Sequence, residues 1–233
     1  MIMIGIIGAI DYELNYFFQH MIIARTEIIA DKTFYIGKIK NHNVVIVKSG
    51  IGKVNAAITT TILIDKFDVR LIINTGVAGG LSPIEIGDII IASGISYFDV
   101  SLTEIDDVPY GQMGSDPLIV KINHDYLTKA KKIFDNLGYK YMVGNLVSGD
   151  KFVTKKKDLT KIQKQVDNIL GVEMEGMAIG LTAFKFNRPF VSIRGVSDVV
   201  DTPDQPKNYR DVVKSVASKT SEFVLAFLEV VDE

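Results

Sequence analysis

Two stretches toward the C-terminal end constrain this chain more than any other feature: Gly171-Val172-Glu173-Met174-Glu175-Gly176-Met177-Ala178 and Ser192-Ile193-Arg194-Gly195-Val196-Ser197-Asp198. Each is an apolar, strand-like run that ends abruptly in acid. A carboxylate at the end of a buried strand costs solvation energy unless something there uses its charge. In open α/β sheets, ligands bind in the crevice outside the carboxyl ends of the strands. Two acidic strand ends therefore predict one shared pocket, whose acids act on a sugar and a basic heterocycle.

The chain before them alternates strands with helices. Residues 3–8 are a short β-rich run, and 11–19 carry the helical spacing Leu14, Phe17, Phe18. This strand–turn–helix opening places Ala9, Ile10 and Glu13 at a strand's carboxyl edge. Strands are expected over 22–29, 33–39 and 44–47, with Asn41-His42-Asn43 as a hairpin turn. Ser49-Gly50-Ile51-Gly52-Lys53 leads into a helix over 54–65, and 71–74 is an apolar strand followed by Thr75-Gly76-Val77-Ala78-Gly79-Gly80. Those glycines read either as a tight strand-to-helix turn or as a place where something comes close to the backbone.

After a strand at 88–92, residues 98–116 become irregular, and loops this long usually carry function or mobility. A helix follows over 124–136, then a strand over 141–147, a helix over 174–186 and a last core strand over 189–194. Residues 201–208, with Pro203 and Pro206, read as a loop before a closing helix over 209–231. The pattern predicts an α/β protein with a largely parallel sheet covered on both faces. With no repeat, low-complexity segment or linker, residues 1–233 are expected to form a single domain.

Composition excludes several function classes. A net charge of −2 gives no general attraction for nucleic acid or an anionic membrane. The absence of cysteine rules out disulfides and thiolate chemistry and fits a reducing cytoplasm, where the protein is expected. The apolar residues 1–10 lack a basic region and run straight into Asp11 and Glu13, as a buried strand does and a secretory signal does not. No stretch approaches the roughly 18 unbroken apolar residues of a membrane span.

Most familiar catalytic motifs fail. Around Gly50 and Gly52, a Walker loop would need glycine at Val47 and Ser or Thr at Val54, and Asn55 breaks a dinucleotide fingerprint. His20, His42 and His124 are far apart with no metal-ligand spacing, so no metal is expected, and there is no serine elbow. Carboxylates remain: Glu13, Glu173, Glu175 and Asp198. Glycosidic cleavage needs an acid for the leaving group, a base or nucleophile at the sugar carbon, and anionic stabilisation of an oxocarbenium-like centre. The bland alternative is that such acids cap helices, since Glu13 and Glu175 both fall in a first helical turn.

Six segments narrow the choice. Gly5-Ile-Ile-Gly-Ala9 with Glu13, Lys48-Ser-Gly-Ile-Gly-Lys-Val54, Asn74-Thr-Gly-Val-Ala-Gly-Gly80, Ser148-Gly-Asp150 with Phe152, Val172-Glu-Met-Glu175 and Ser197-Asp198 occur in one order and at matching spacing. Together they resemble the 5′-methylthioadenosine/S-adenosylhomocysteine nucleosidases of the nucleoside phosphorylase/hydrolase superfamily, over essentially the whole chain. The resemblance implies a three-layer α/β/α fold around a central twisted mixed sheet, a homodimer, no cofactor, and irreversible hydrolysis of an N-ribosidic bond in methionine salvage. It implies that Asp198 protonates purine N7, that Glu13 activates water and that Glu175 holds the ribose hydroxyls.

By the same resemblance, Met174 packs beside the sugar, with Glu173 also in the binding site, and Phe152 stacks on the purine. The Val153 backbone reads the purine's edge, Ala78 and Gly79 form a turn beside it, and Ser197 and Arg194 support the acid. Ala9, Ile10, Ile51, Leu102, Ile105 and Tyr209 are expected around the sugar and its 5′-alkylthio group, the loop residues being donated by a partner subunit. The chain departs from the family at Val77, Phe98, Ile105 and Tyr209, where serine, histidine, phenylalanine and phenylalanine are frequent. Two rivals stand beside this reading: a phosphorylase of the same fold and a non-catalytic nucleoside-binding protein.

Overall fold

The structure, a computed structural model, describes residues 2–231; the two ends of the expected 1–233 domain lie outside them. The chain opens with β1 (Met3–Gly8) and α1 (Asp11–Phe18), followed by the meander β2 (Met21–Ile29), β3 (Lys32–Ile39) and β4 (His42–Lys48). Helix α2 (Lys53–Phe67) leads to β5 (Leu71–Gly80), β6 (Ile89–Tyr97) and the short β7 (Val120–Lys121). Then come α3 (His124–Asn136), β8 (Tyr141–Ser148), β9 (Ile169–Glu173), α4 (Gly176–Lys185), β10 (Phe190–Val199) and α5 (Gln205–Leu228).

All the strands join one mixed sheet in the order β10-β6-β8-β9-β5-β1-β4-β3-β2, with β7 on β6. β1 runs parallel to both β4 and β5, and β5 parallel to β10. Because β10 also pairs with β6, and β9 with both β8 and β5, these five strands close into a ring. Ile4, Ile6 and Ile7 of β1, Val44 to Val47 of β4 and Leu71 to Ile73 of β5 are all fully buried, as strands covered on both faces must be. Helix α5 packs along β10 and β5 with α1 and α3 beside it, while α2 and α4 pack together on the other face. The α/β/α layering is therefore the expected one. No helix among the described residues is long and apolar enough to cross a membrane.

Several boundaries differ from the sequence reading, each for a tertiary reason. The stretch Thr75–Gly80 is no turn: it continues β5, because Thr75 to Gly80 pair with β10 and Gly79 and Gly80 also pair with β9. β10 likewise runs on through Ser197 and Asp198 to Val199. The β3–β4 hairpin turns at Lys40-Asn41, with Lys40 at φ 51°, so His42 and Asn43 are already strand. Helix α4 starts at Gly176 and not on the acids. Helix α5 starts at Gln205, four residues early, since a proline in the first turn forfeits only an N–H that has no helical partner.

Candidate active site

Three strand ends meet at one edge of the sheet, and each delivers acid there. After β1 the chain turns at Ile10 into α1, where Glu13 is the third helical residue. Its carboxylate folds back on its own helix start: Oε2 accepts from the Ala9 N–H at 2.6 Å and the Ile10 N–H at 3.2 Å. This is the glutamate half of a capping box. The other oxygen, Oε1, accepts from the Val77 N–H of β5 at 2.9 Å and lies 3.9 Å from Arg194 Nη1. Burial raises the Glu13 pKa above the usual carboxylate value despite Arg194 and the three N–H donors. The helix-cap reading of Glu13 is met, and the same carboxylate lines the cavity described below.

At the end of β9, Glu173 is consumed internally. Its Oε2 accepts from the N–H groups of Glu175 and Gly176, at 3.0 and 2.7 Å, and pairs with Arg194 Nη2. Its Oε1 accepts from Ser148 Oγ, and that hydroxyl oxygen in turn accepts from the Met177 N–H at 2.7 Å. Glu173 and Ser148 thus satisfy the open N–H groups at the start of α4. Glu175, freed from that task, accepts from the Gly52 N–H at 2.9 Å and lies 3.8 Å from Arg194 Nη2. Burial first and the neighbouring Glu173 second push its carboxyl up to about 8, against the opposing pull of Arg194 and the Gly52 N–H.

Arg194 is 1% exposed and, among the described residues, is the one cation facing Glu13, Glu173 and Glu175. One positive charge does not balance three buried acids, and Glu13 and Glu175 both hold their protons more tightly than ordinary carboxyls. Asn74 completes the seat, its Oδ1 accepting from Arg194 Nη2 at 2.7 Å. The expected support of Asp198 by Arg194 is therefore corrected: Arg194 serves the other acids. Asp198 accepts instead from Ser197 Oγ (Oδ1, 2.7 Å) and from Gln205 Nε2 (Oδ2, 2.7 Å). Burial raises its pKa, and those two donors oppose the rise.

Glu13, Glu175 and Asp198 line one cavity, with Ala9, Ile10, Ala78 and Gly79 on its walls. Glu173, Met174 and Ser197 also face it, and Ile51, Phe152 and Tyr209 form its rim. Burial and the charges of Glu13, Asp198 and Glu175 together raise the Tyr209 phenol, so all three acids act on one point of that rim. Val153 is buried and lines a smaller adjoining space shared with Gly79, Phe152 and Asp198. Arg194 lies behind the wall. Leu102 and Ile105 do not line the cavity of this chain, and Ile105 is 78% exposed.

Gly76 shows what the glycine run of β5 accommodates. A Cβ there would stand 2.2 Å from Glu13 Oε1 and 2.5 Å from Arg194 Nη1, and at Gly79 it would stand 3.1 Å from Asp198 Oδ2. The groups approaching the backbone are the chain's own acids. Sequence reasoning missed Gln205, which lies in a stretch that reads as loop, and missed Asn74, whose only signal is a lone amide ending an apolar run. Among the described residues, no cluster of three or more His, Cys, Asp or Glu is arranged to hold a metal ion. The cavity walls bear four carboxyls and no basic side chain. Such a site can donate a proton, accept one, and stabilise a cationic centre between.

Known proteins share this architecture. The phosphorylase superfamily model matches residues 3–229. A 5′-methylthioadenosine/S-adenosylhomocysteine nucleosidase of Colwellia psychrerythraea is 36% identical over 231 residues, covering 96% of this chain and 94% of that protein. The crystal structure of an S-adenosylhomocysteine nucleosidase from Streptococcus pyogenes, in complex with 5-methylthiotubericidin, superposes with a TM-score of 0.93 at 31% identity, over 99% of this chain and 97% of that one. The nucleosidase from S. pneumoniae with the transition-state inhibitor MT-ImmA gives 0.92 at 33% identity, over 99% and 100%.

Proposed function

This chain belongs to the 5′-methylthioadenosine/S-adenosylhomocysteine nucleosidases of the phosphorylase superfamily, and on that premise we propose that it hydrolyses the N-ribosidic bond of these two nucleosides. The products are adenine and the corresponding 5-thioribose. The observation that carries hydrolysis over phosphorolysis is the charge of the cavity: four carboxyls and no lysine, arginine or histidine on its walls. A phosphate dianion needs charge-assisted donors, and a neutral water does not. The carboxyls equally argue against a passive nucleoside-binding protein, since binding alone would not repay the burial of so many acids.

The roles follow from proton affinity and position. Adenine leaves poorly as an anion and readily as a neutral base. Asp198, kept at raised proton affinity by burial, gives its proton to purine N7 as the glycosidic electron pair moves into the base. Glu175, which lines the same cavity, holds the ribose hydroxyls. Glu13, aimed by three backbone N–H groups, takes a proton from the water that attacks the anomeric carbon. Met174 and Phe152 pack on sugar and base, while Ile10, Ile51 and Tyr209 give the 5′-alkylthio group an apolar exit.

A homodimer is part of this reading. Ile51, Val54 and Met113 are 54%, 70% and 41% exposed beside an apolar groove that runs from α2 to α4. A second copy laid on that face would cover them and bring Leu102 and Ile105 toward the neighbouring cavity. The chain would then work as a single nucleosidase domain in the cytoplasm. Incubation with methylthioadenosine in phosphate-free buffer tests the function: adenine and 5-methylthioribose should form at a rate that added phosphate does not change. Turnover that requires phosphate would make the enzyme a phosphorylase.

A further inference from the structure

Gln205 is 2% exposed and donates directly to Asp198, yet none of the roles above uses it. It is the first residue of α5, yet its amide points back at the carboxyl end of β10. The Nε2 donates one hydrogen to Asp198 Oδ2 at 2.7 Å and the other to the Val153 carbonyl at 2.8 Å. Its Oε1 accepts from the Asp201 N–H at 3.3 Å, so the side chain also ties down the segment that carries it. An –NH₂ group spanning a carboxylate oxygen and a carbonyl reproduces the bonding of the exocyclic amine of an aminopurine. Val153 and Asp198 both line the small space beside Phe152, where the proposed function puts the base.

We propose that Gln205 is an internal stand-in for the amine of adenine: it closes the base site when no nucleoside is bound, and the purine must displace it to reach Asp198. A base amine that bonds both acceptors has to occupy the position Nε2 now holds. The carrier segment suits such a motion. Asp201 and Asp204 flank it at φ 67° and 59°, left-handed conformations that few side chains adopt, though Asp is among those that tolerate them.

The proposal rests on the nucleosidase reading, and two measurements separate their failures. In the crystal structure of the wild-type protein with adenine, Gln205 Nε2 should lie beyond hydrogen-bond distance of both Asp198 Oδ2 and the Val153 carbonyl. In Gln205→Ala, the adenine Kd should fall about tenfold, the gain expected when a competing pair of internal hydrogen bonds is removed. Adenine bound with both Gln205 contacts intact would overturn the gate. So would a Gln205→Ala protein with lower kcat and unaltered adenine Kd, which would make Gln205 an aid to Asp198. Wild-type protein that releases no adenine from methylthioadenosine would instead defeat the function itself.

Discussion

Substituting alanine for Gly76 should displace Glu13, the proposed base, and crowd the Arg194 guanidinium behind it. A Cβ there would meet Glu13 Oε1 at 2.2 Å and Glu13 Cδ at 2.6 Å, where ordinary contacts begin near 3.4 Å. The oxygen must therefore retreat by about an ångström, which breaks its 2.9 Å bond from the Val77 N–H. A misplacement of about 1 Å in a reacting group costs roughly a hundredfold in rate. Loss of a hydrogen bond to a charged acceptor, together with alanine at φ 146°, should cost on the order of 3 kcal/mol in stability. Gly87→Ala is the control: its φ is 86°, with nothing within 4 Å of the added carbon. Adenine release and urea unfolding on both variants separate strain from chemistry. If Gly76→Ala turns over within about twofold of wild type, Glu13 is not held as described and the base assignment loses its support.

Other consequences are open to test. Arg194→Met should destabilise the fold by about 3–5 kcal/mol in urea titration, because Glu173 and its neighbours lose their buried cation; a loss under about 1 kcal/mol would show the cluster already neutral. Burial pushes the Glu175 carboxyl up to about 8 from an ordinary value of 4.5, so its contribution to stability is complete below the unfolded value and is lost as pH rises through the folded one. Glu175→Gln, a permanent mimic of the protonated form, should therefore gain in Tm over wild type as pH increases from about 5 to 9, and a constant difference would contradict the shift. Val54→Glu, on the exposed face of α2, should yield a monomer in sedimentation velocity and raise KM; an unaltered dimer would place the interface elsewhere.

Much of this site is legible in the sequence, because buried charge is conspicuous where apolar runs stop. Glu13, Glu175 and Asp198 stand out for that reason, and the structure brings them to one cavity. Arg194 was legible as part of the site but not in its partner. Alternation puts residues 194 and 198 on one face of a regular strand, but the register of β10 against β5 shifts between Val196 and Asp198. That extra residue turns Asp198 toward Ser197 and Gln205 and leaves Arg194 with the glutamates. A bulge of this kind is set by cross-strand pairing and has no local signal. The strand character of Thr75–Gly80 was hidden likewise, since glycine favours turns locally and only the pairing with β9 and β10 keeps the run extended. Gln205 was illegible because Pro203 and Pro206 read as loop, and its contacts are tertiary.

In the proposed mechanism one buried acid loads the purine with a proton while two others serve the sugar and the water. The most direct test is the rate of adenine release from methylthioadenosine by Asp198→Asn in phosphate-free buffer, beside wild type and with circular dichroism to confirm folding. The variant should be folded and slowed by about 10²–10⁴, the worth of a positioned general acid. A variant that releases adenine at close to the wild-type rate would contradict it.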